Sequence, residues 1–257
     1  MNIVQTKHGL MMVRQGSDLI SNYLVQKGEY EWHVVDICRL LAGRHDNGYI
    51  LDIGANMGTV TVPLAKLLPK YTIRAFEPQR AVYYQLCGNV ALNDIDNVEV
   101  RQLAVGSESR HIYLDMPDYK TNNNIGAWSM DPEVREKSPE GRAGGAMQPV
   151  KMERLDDMHF AEPIRLIKID VEGMELDVLR GAFYLLDHHK YPPLVYESWE
   201  CYDWFKPRAE ELEAHVMSLG YKTYRMGPTV VAIHPDNGVK VNVVQDGDGT
   251  TLQVVSE

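Results

Sequence analysis

No stretch of the chain approaches the ~20 consecutive apolar residues that a membrane span needs. The amino terminus has no basic segment leading into an apolar run, so a secretory leader is not expected either. Cysteine is scarce: Cys38, Cys87 and Cys201 are odd in number and far apart. They make neither a disulfide framework nor a CxxC pair, which excludes a stapled secreted domain and suits a reducing, cytoplasmic compartment. Basic runs are missing too, and the formal net charge is -10. That balance argues against a nucleic-acid partner, whose phosphates call for clustered Lys and Arg. The acidity serves solubility and would also suit a cationic ligand.

What the chain has is a rhythm. Its 257 residues, 44% of them hydrophobic, suffice for one large α/β domain with a sizeable core. From Tyr49 onward short apolar runs alternate with helix-period segments, the pattern of βαβ units around a parallel sheet. Strands are expected at 49–53, 72–76, 98–103, 164–169 and 194–197, and helices at 59–68, 79–92, about 174–186 and 207–219. Met226-Gly227-Pro228 joins 220–225 to 229–234 as a hairpin. The expected fold is therefore α/β, a doubly wound, Rossmann-like, mostly parallel sheet with an antiparallel C-terminal hairpin strand.

Residues 1–45 read as a helical portion packed on the core, with Val34, Ile37, Leu40 and Leu41 at helical spacing. Residues 46–236 form the main domain, and 237–257 a tail or one extra strand. The rhythm stops between Asp115 and Val150, where Thr121-Asn122-Asn123-Asn124, Ser138-Pro139-Glu140-Gly141 and Gly144-Gly145 mark a long loop. A loop this long is either disordered or functional, and its place between sheet strands favours a mobile element at the mouth of a site.

Three segments carry chemistry. In Asp52-Ile53-Gly54-Ala55-Asn56-Met57-Gly58 an acid ends the first strand and a glycine turn opens a helix. Gly54 and Gly58 allow a sharp turn and close approach to a ligand. The free amides of the helix start suit a carboxylate, and Asp52 would balance positive groups of the ligand. Glu77, in Ala75-Phe76-Glu77-Pro78, ends the second strand, where a carboxylate can accept both hydroxyls of a ribose. Asp52 and Glu77 together, across one βα unit, point to a nucleoside-type cofactor. Gly54 and Gly58 enclose three residues, so the full GxGxxG dinucleotide fingerprint is absent. The third segment is Lys168-Ile169-Asp170-Val171-Glu172-Gly173-Met174-Glu175. Its charges interrupt a buried strand at the end where open α/β sheets bind ligands, and either a Lys–Asp pair with helix capping or catalysis would explain them.

In this order and spacing the three segments resemble the FkbM family of class I S-adenosylmethionine-dependent methyltransferases. That family shows an Asp-x-Gly-Ala-Asn-x-Gly turn, a Phe-Glu-Pro segment and a Lys-Ile-Asp-x-Glu-Gly-x-Glu segment. Leu103-Ala104-Val105-Gly106 and Val178-Leu179-Arg180-Gly181-Ala182 are also similar, and the likeness covers roughly residues 28 to 235. The resemblance implies S-adenosylmethionine as cofactor. Asp52, Gly54, Ala55, Asn56 and Gly58 would hold its methionine part, Glu77 with Pro78 its ribose, and Leu103 with Ala104 its adenine. Asp170, Glu172 and Lys168 would face the methyl group or the acceptor. The implied acceptor is a hydroxyl of a small molecule, sugar or glycolipid.

An aliphatic hydroxyl must lose its proton during attack, and Asp170 is the expected general base, with Glu172 or Lys168 setting its charge. His8, His111, His159 and His234 are alternatives that the sequence does not position. Trp199, Tyr202, Trp204 and Phe205 either line an acceptor pocket or cover the core edge. Glu172, Glu175 and Asp177 make an acidic cluster, but no His or Cys stands at ligand spacing, so no metal site is expected. A nicotinamide-dependent oxidoreductase and an inactive binding module on the same fold are the rival readings. Oligomeric state is not encoded in any recognisable patch.

Overall fold

In the computed structural model, residues 1–14, 18–43, 45–119, 124–137, 145–246 and 249–255 are described. Parts of two expected loop signals, 121–123 and 138–144, lie outside these. The chain opens on a hairpin, β1 (Asn2–Thr6) and β2 (Gly9–Val13), followed by α1 (Leu19–Lys27) and α2 (Trp32–Ala42). Then come β3 (Gly48–Ile53), α3 (Thr61–Leu67), β4 (Tyr71–Phe76), α4 (Arg80–Leu92) and β5 (Val98–Arg101). Next are β6 (Ala104–Val105), β7 (Arg110–Asp115), α5 (Pro132–Lys137) and β8 (Met147–Glu153). The core resumes with β9 (Ile164–Ile169), α6 (Glu175–Arg180), α7 (Phe183–His188), β10 (Leu194–Glu197) and α8 (Lys206–Ser218). A hairpin of β11 (Lys222–Met226) and β12 (Thr229–Ile233) and a second of β13 (Lys240–Asp246) and β14 (Gly249–Val255) end the chain.

The main sheet runs β11-β12-β10-β9-β3-β4-β5. Pairings from β10 through β5 are parallel, and β12 is antiparallel to both its neighbours, as the sequence pattern anticipates. The chain leaves β3 towards β4 and β5, then returns to β9 on β3's other side. The switch point of this doubly wound sheet thus lies beyond the carboxyl ends of β3 and β9, where such folds open a crevice.

Strand parity assigns the two faces. Leu51, Ile53, Ile167 and Ile169 pack under α6, α7 and α8, with Val178, Leu186 and Leu212 among their neighbours. Ile50 and Leu166 point the other way, against Val35, Cys38 and Leu41 of α2 and Leu64 of α3. Truncating one such fully buried side chain to alanine costs about 2–5 kcal/mol.

Three expectations are corrected. The N-terminal portion is not wholly helical. Gly9 (φ +119) lets Lys7 and His8 turn tightly, and β2 buries Gly9, Met11 and Val13 at the two-residue period of a strand. The expected helix at 174–186 is two, α6 and α7, broken at Gly181-Ala182. A Cβ on Gly181 would lie 2.1 Å from the Gly106 carbonyl, so this corner packs on the loop after β6. The loop expected at 115–150 ends earlier, at Met147, where β8 pairs with β7 and β6 in a small separate sheet. Among the described residues, no helix is long and apolar enough to cross a membrane.

Candidate active site

The turn after β3 is clamped from both sides. The amides of Gly54 and Ala55 both donate to the Phe76 carbonyl, at 3.0 and 2.9 Å, which ties the turn to the end of β4. On the β9 side, the Asp170 amide donates to the Ile53 carbonyl at 2.9 Å. A Cβ on Gly54 (φ +77) would lie 1.7 Å from the Asp170 carbonyl oxygen. Gly54 is therefore required by the neighbouring strand. Gly58 (φ +94) likewise makes room for Leu86 of α4 and lines no cavity described here.

The amides of Asn56, Met57 and Gly58 already donate, to Glu77, the Asn56 side chain and the Ala55 carbonyl. Among the described residues, the amides of Thr59 and Val60, both in the wall of the main cavity, find no acceptor. Glu77 is 4% exposed, and each carboxylate oxygen accepts one amide, from Asn56 at 3.1 Å and Gln79 at 2.8 Å. Burial outweighs these bonds and raises its pKa to about 7. Its remaining lone pairs are free to accept hydroxyls.

Asp52 departs from the expectation. Strand parity puts it on the α2 face beneath the turn, 0% exposed, and it lines neither cavity. Its carboxylate takes the Thr61 hydroxyl at 2.6 Å and the Lys168 ammonium at 3.1 Å. Lys168 also donates to the Gly54 carbonyl at 3.0 Å and stands 3.3 Å from Asp170. Burial works against its charge, but the Asp52 and Asp170 carboxylates overcome that and hold the ammonium above its ordinary pKa.

Asp170, Glu172 and Glu197 converge, each offering an oxygen within 4.8 Å of the others. Glu172 reaches this place from a left-handed backbone (φ +56), a conformation costly for a residue with a Cβ. Burial, and then the Asp170 and Glu197 charges, push the Glu172 carboxyl well above its usual range. Burial and Asp170 do the same to Glu197. Glu31, also left-handed (φ +47), joins them from the start of α2 with a pKa raised to about 7 by burial and then by Asp170. Like charges this close share protons. The trio's hard oxygens could also hold a divalent cation. The acidic cluster expected from spacing, Glu172 with Glu175 and Asp177, disperses. Glu175 turns inward to accept the Val171 and Gly173 amides, and Asp177 takes the Ser107 hydroxyl.

Two voids meet at these acids. The larger, about 400 Å³, is walled by Tyr30, Glu31, Thr59, Val60, Lys168 and Glu197 together with Trp199, Tyr202 and Trp204. Phe205, expected beside those aromatics, is 2% exposed and packs in the core near Gly173. The smaller void, about 50 Å³, is a slot between Phe76, Glu77, Pro78, Leu103 and Ala104 on one strand end and Trp128 and Met130 on the insertion. Gly54, Asn56, Gly126, Asp170 and Glu172 line both, and Ala55 lines the larger.

Of the predicted positions, Gly54, Ala55, Asn56, Glu77, Pro78, Leu103, Ala104, Lys168, Asp170 and Glu172 thus line two voids that share a wall. Asp52 and Gly58 support them from beneath. His8, His111, His159 and His234 do not line them. The sequence reading missed Tyr30, Glu31, Glu197 as a member of the acidic trio, and the insertion residues Gly126, Trp128 and Met130. A Glu ending the fifth strand was the one signal available for Glu197.

The sequence profile of the Methyltransferase FkbM domain matches residues 52–226. "Methyltransferase 1" of Beauveria bassiana (strain ARSEF 2860) is 30% identical over 157 residues, 57% of this chain and 63% of that protein, so the chain spans less than two thirds of this relative's length. "Methyltransferase sdnD" of Sordaria araneosa is 29% identical over 191 residues, 65% of this chain and 74% of that one. Among solved structures, precorrin 8W decarboxylase of Methanobacterium thermoautotrophicum aligns with a TM-score of 0.47 at 14% identity, over 98% of this chain and 94% of that chain. With the profile covering more than half of its length, the chain belongs to the FkbM methyltransferase domain family.

Proposed function

We propose that the chain transfers a methyl group from S-adenosylmethionine to a hydroxyl of a small molecule, sugar or glycolipid. The observation that carries this reading is the junction of the two voids. A slot lined by the buried Glu77 carboxylate shares an acid-lined wall with a larger aromatic cavity. The names of the two relatives, both methyltransferases, support the methyl transfer.

When bound, the cofactor supplies an electrophilic methyl group on a sulfonium. Glu77 would accept the ribose hydroxyls, Leu103 and Ala104 would cover the adenine, and Thr59 and Val60 would offer their amides to the carboxylate end. Asp52 serves from below by holding Lys168 and Thr61 in place. The acid cluster favours a positive charge at the junction. Trp199, Tyr202 and Trp204 would hold the acceptor over Asp170, and Tyr30 and Glu31 would exclude water on the opposite side. Of the trio, Asp170 has the ammonium against it, so its negative charge is the balanced one, and it takes the hydroxyl proton.

Calorimetry with S-adenosylhomocysteine and with NADH tests the cofactor. Mass spectrometry of a metabolite extract incubated with the protein and labelled cofactor tests the transfer. The reading expects binding of the first nucleoside alone and a new labelled methyl ether. NADH binding without S-adenosylhomocysteine binding overturns it in favour of an oxidoreductase, and binding without any labelled product favours an inactive module.

A further inference from the structure

The slot wall contains a donor with nothing to donate to. Trp128 is 3% exposed, and its indole Nε1 makes no hydrogen bond among the described residues. Folded proteins seldom leave a buried N–H in that state, because it has given up water without gaining a partner. The ring cannot swing away to find water. Met116, Val150 and Met152 pack against it, and the Arg135 guanidinium lies 5.1 Å from its ring centre.

The segment that carries the ring is pinned on both sides. Gln79 donates from its side chain to the Ile125 carbonyl at 3.1 Å, and Arg135 donates to the Ser129 carbonyl at 2.7 Å. Arg208 of α8 pairs with Asp131 at 2.6 Å and with Glu133 at 2.7 Å. The ring is thus held in the wall of the slot that Leu103 and Ala104 also line, aliphatic residues that offer its N–H no side-chain acceptor.

On the cofactor reading above, the group occupying this slot is a purine, whose unprotonated ring nitrogens are in-plane acceptors along its edge. We propose that Trp128 is a specificity-determining residue whose Nε1–H donates to a ring nitrogen of the adenine. The insertion then does more than cover the site: it reads the base.

The test is calorimetry with S-adenosylhomocysteine and its 1-deaza, 3-deaza and 7-deaza analogues, each of which replaces one ring nitrogen by C–H. The wild-type protein should bind one analogue about tenfold more weakly than the parent. Trp128→Phe, which keeps an aromatic ring in the wall, should lose about the same factor for the parent and bind that one analogue as the wild type does. Equal wild-type affinity for the parent and all three analogues overturns the proposal. So does a Trp128→Phe loss that is the same for every ligand, which would mark the ring as packing only. If the variant fails to fold, the wild-type analogue series still decides. Failure of the wild type to bind S-adenosylhomocysteine at all overturns the cofactor reading and this inference with it, and is recognised by the missing parent isotherm.

Discussion

Asp52 and Lys168 are register partners on adjacent parallel strands, both buried, with the ammonium 3.1 Å from the carboxylate. One cation on β9 thereby ties together the end of β3, the Gly54 carbonyl of the turn and Asp170 of the acid cluster. Removing one partner of a buried pair leaves a charge without compensation, which costs about 3–5 kcal/mol. Lys168→Met should destabilise the fold by that amount in urea unfolding. The double variant Asp52→Asn, Lys168→Met should recover a large part of it. A Lys168→Met protein as stable as the wild type would show that the pair does not hold the turn.

The legibility of this site in the sequence follows the range of the interactions. The strands at 164–169 and 194–197 and the antiparallel hairpin depend on local apolar runs and turn chemistry, and the structure has them where expected. Glu77, Asp170 and Glu172 were recognisable because strand ends and glycine turns put them at the rim of the sheet, where they line the slot. Which charge pairs with which was not. The Asp52–Lys168 contact depends on the register of two strands that are distant in sequence and adjacent in the sheet. Glu31 and Trp128 come from segments with no strand-end signal, one before the sheet begins and one inside the insertion, and only tertiary packing brings them to the cavities.

Gly54 tests whether the turn serves the sheet or the ligand. Its φ of +77 strains any residue with a Cβ, and that Cβ would meet the Asp170 carbonyl at 1.7 Å. Gly54→Ala should lower the urea midpoint by an amount equivalent to about 2 kcal/mol or more even without cofactor. A variant with wild-type stability and only weakened S-adenosylhomocysteine binding would return Gly54 to a ligand role.

Glu175 gives a pH dependence with a defined sign. It is 2% exposed, and burial raises its carboxyl from 4.5 to about 7 against the opposing pull of the amide bonds it accepts. Across that interval the folded chain binds more protons than the unfolded one. Its contribution to stability is therefore complete below pH 4.5 and is lost as pH rises through 7. Glu175→Gln keeps an oxygen for the Val171 and Gly173 amides and has no charge to bury. It should melt higher than the wild type at pH 8, by the equivalent of up to roughly 3 kcal/mol, with the difference shrinking towards pH 5. A difference that grows towards acid would contradict the assignment.

His8 works in the opposite direction. Its Nδ1 lies 2.7 Å from the Thr59 carbonyl and so donates there, while Nε2 accepts the Tyr30 amide at 3.0 Å, which fixes the neutral form. Burial is the main reason its pKa is lowered from 6.5. The stability it contributes is present above 6.5 and lost as pH falls through the depressed value, because protonated Nε2 cannot accept. Since Thr59 and Tyr30 line the larger cavity, acid should loosen that wall. Hydrogen exchange at the Tyr30 amide should accelerate relative to the core between pH 7 and pH 5, and His8→Gln should exchange with no such step. Unchanged relative protection in the wild type would rule this out.

The acid trio predicts how turnover responds to its members. Asp170→Asn removes the proposed proton acceptor and should reduce kcat by about 10²–10⁴-fold, with S-adenosylhomocysteine affinity changed far less. Glu197→Gln should act differently. It removes a negative charge beside Glu172, whose carboxyl burial and the Asp170 and Glu197 charges push upward. With that repulsion gone, the remaining acids ionise more readily, so the acidic limb of the kcat/KM profile should move to lower pH while the maximum stays within about tenfold. An acidic limb that stays where it is in the wild type would mean that Glu197 is not felt as a negative charge by its neighbours. Loss of turnover at every pH in Glu197→Gln, with Asp170→Asn active, would transfer the proton-accepting role from the end of β9 to the end of β10.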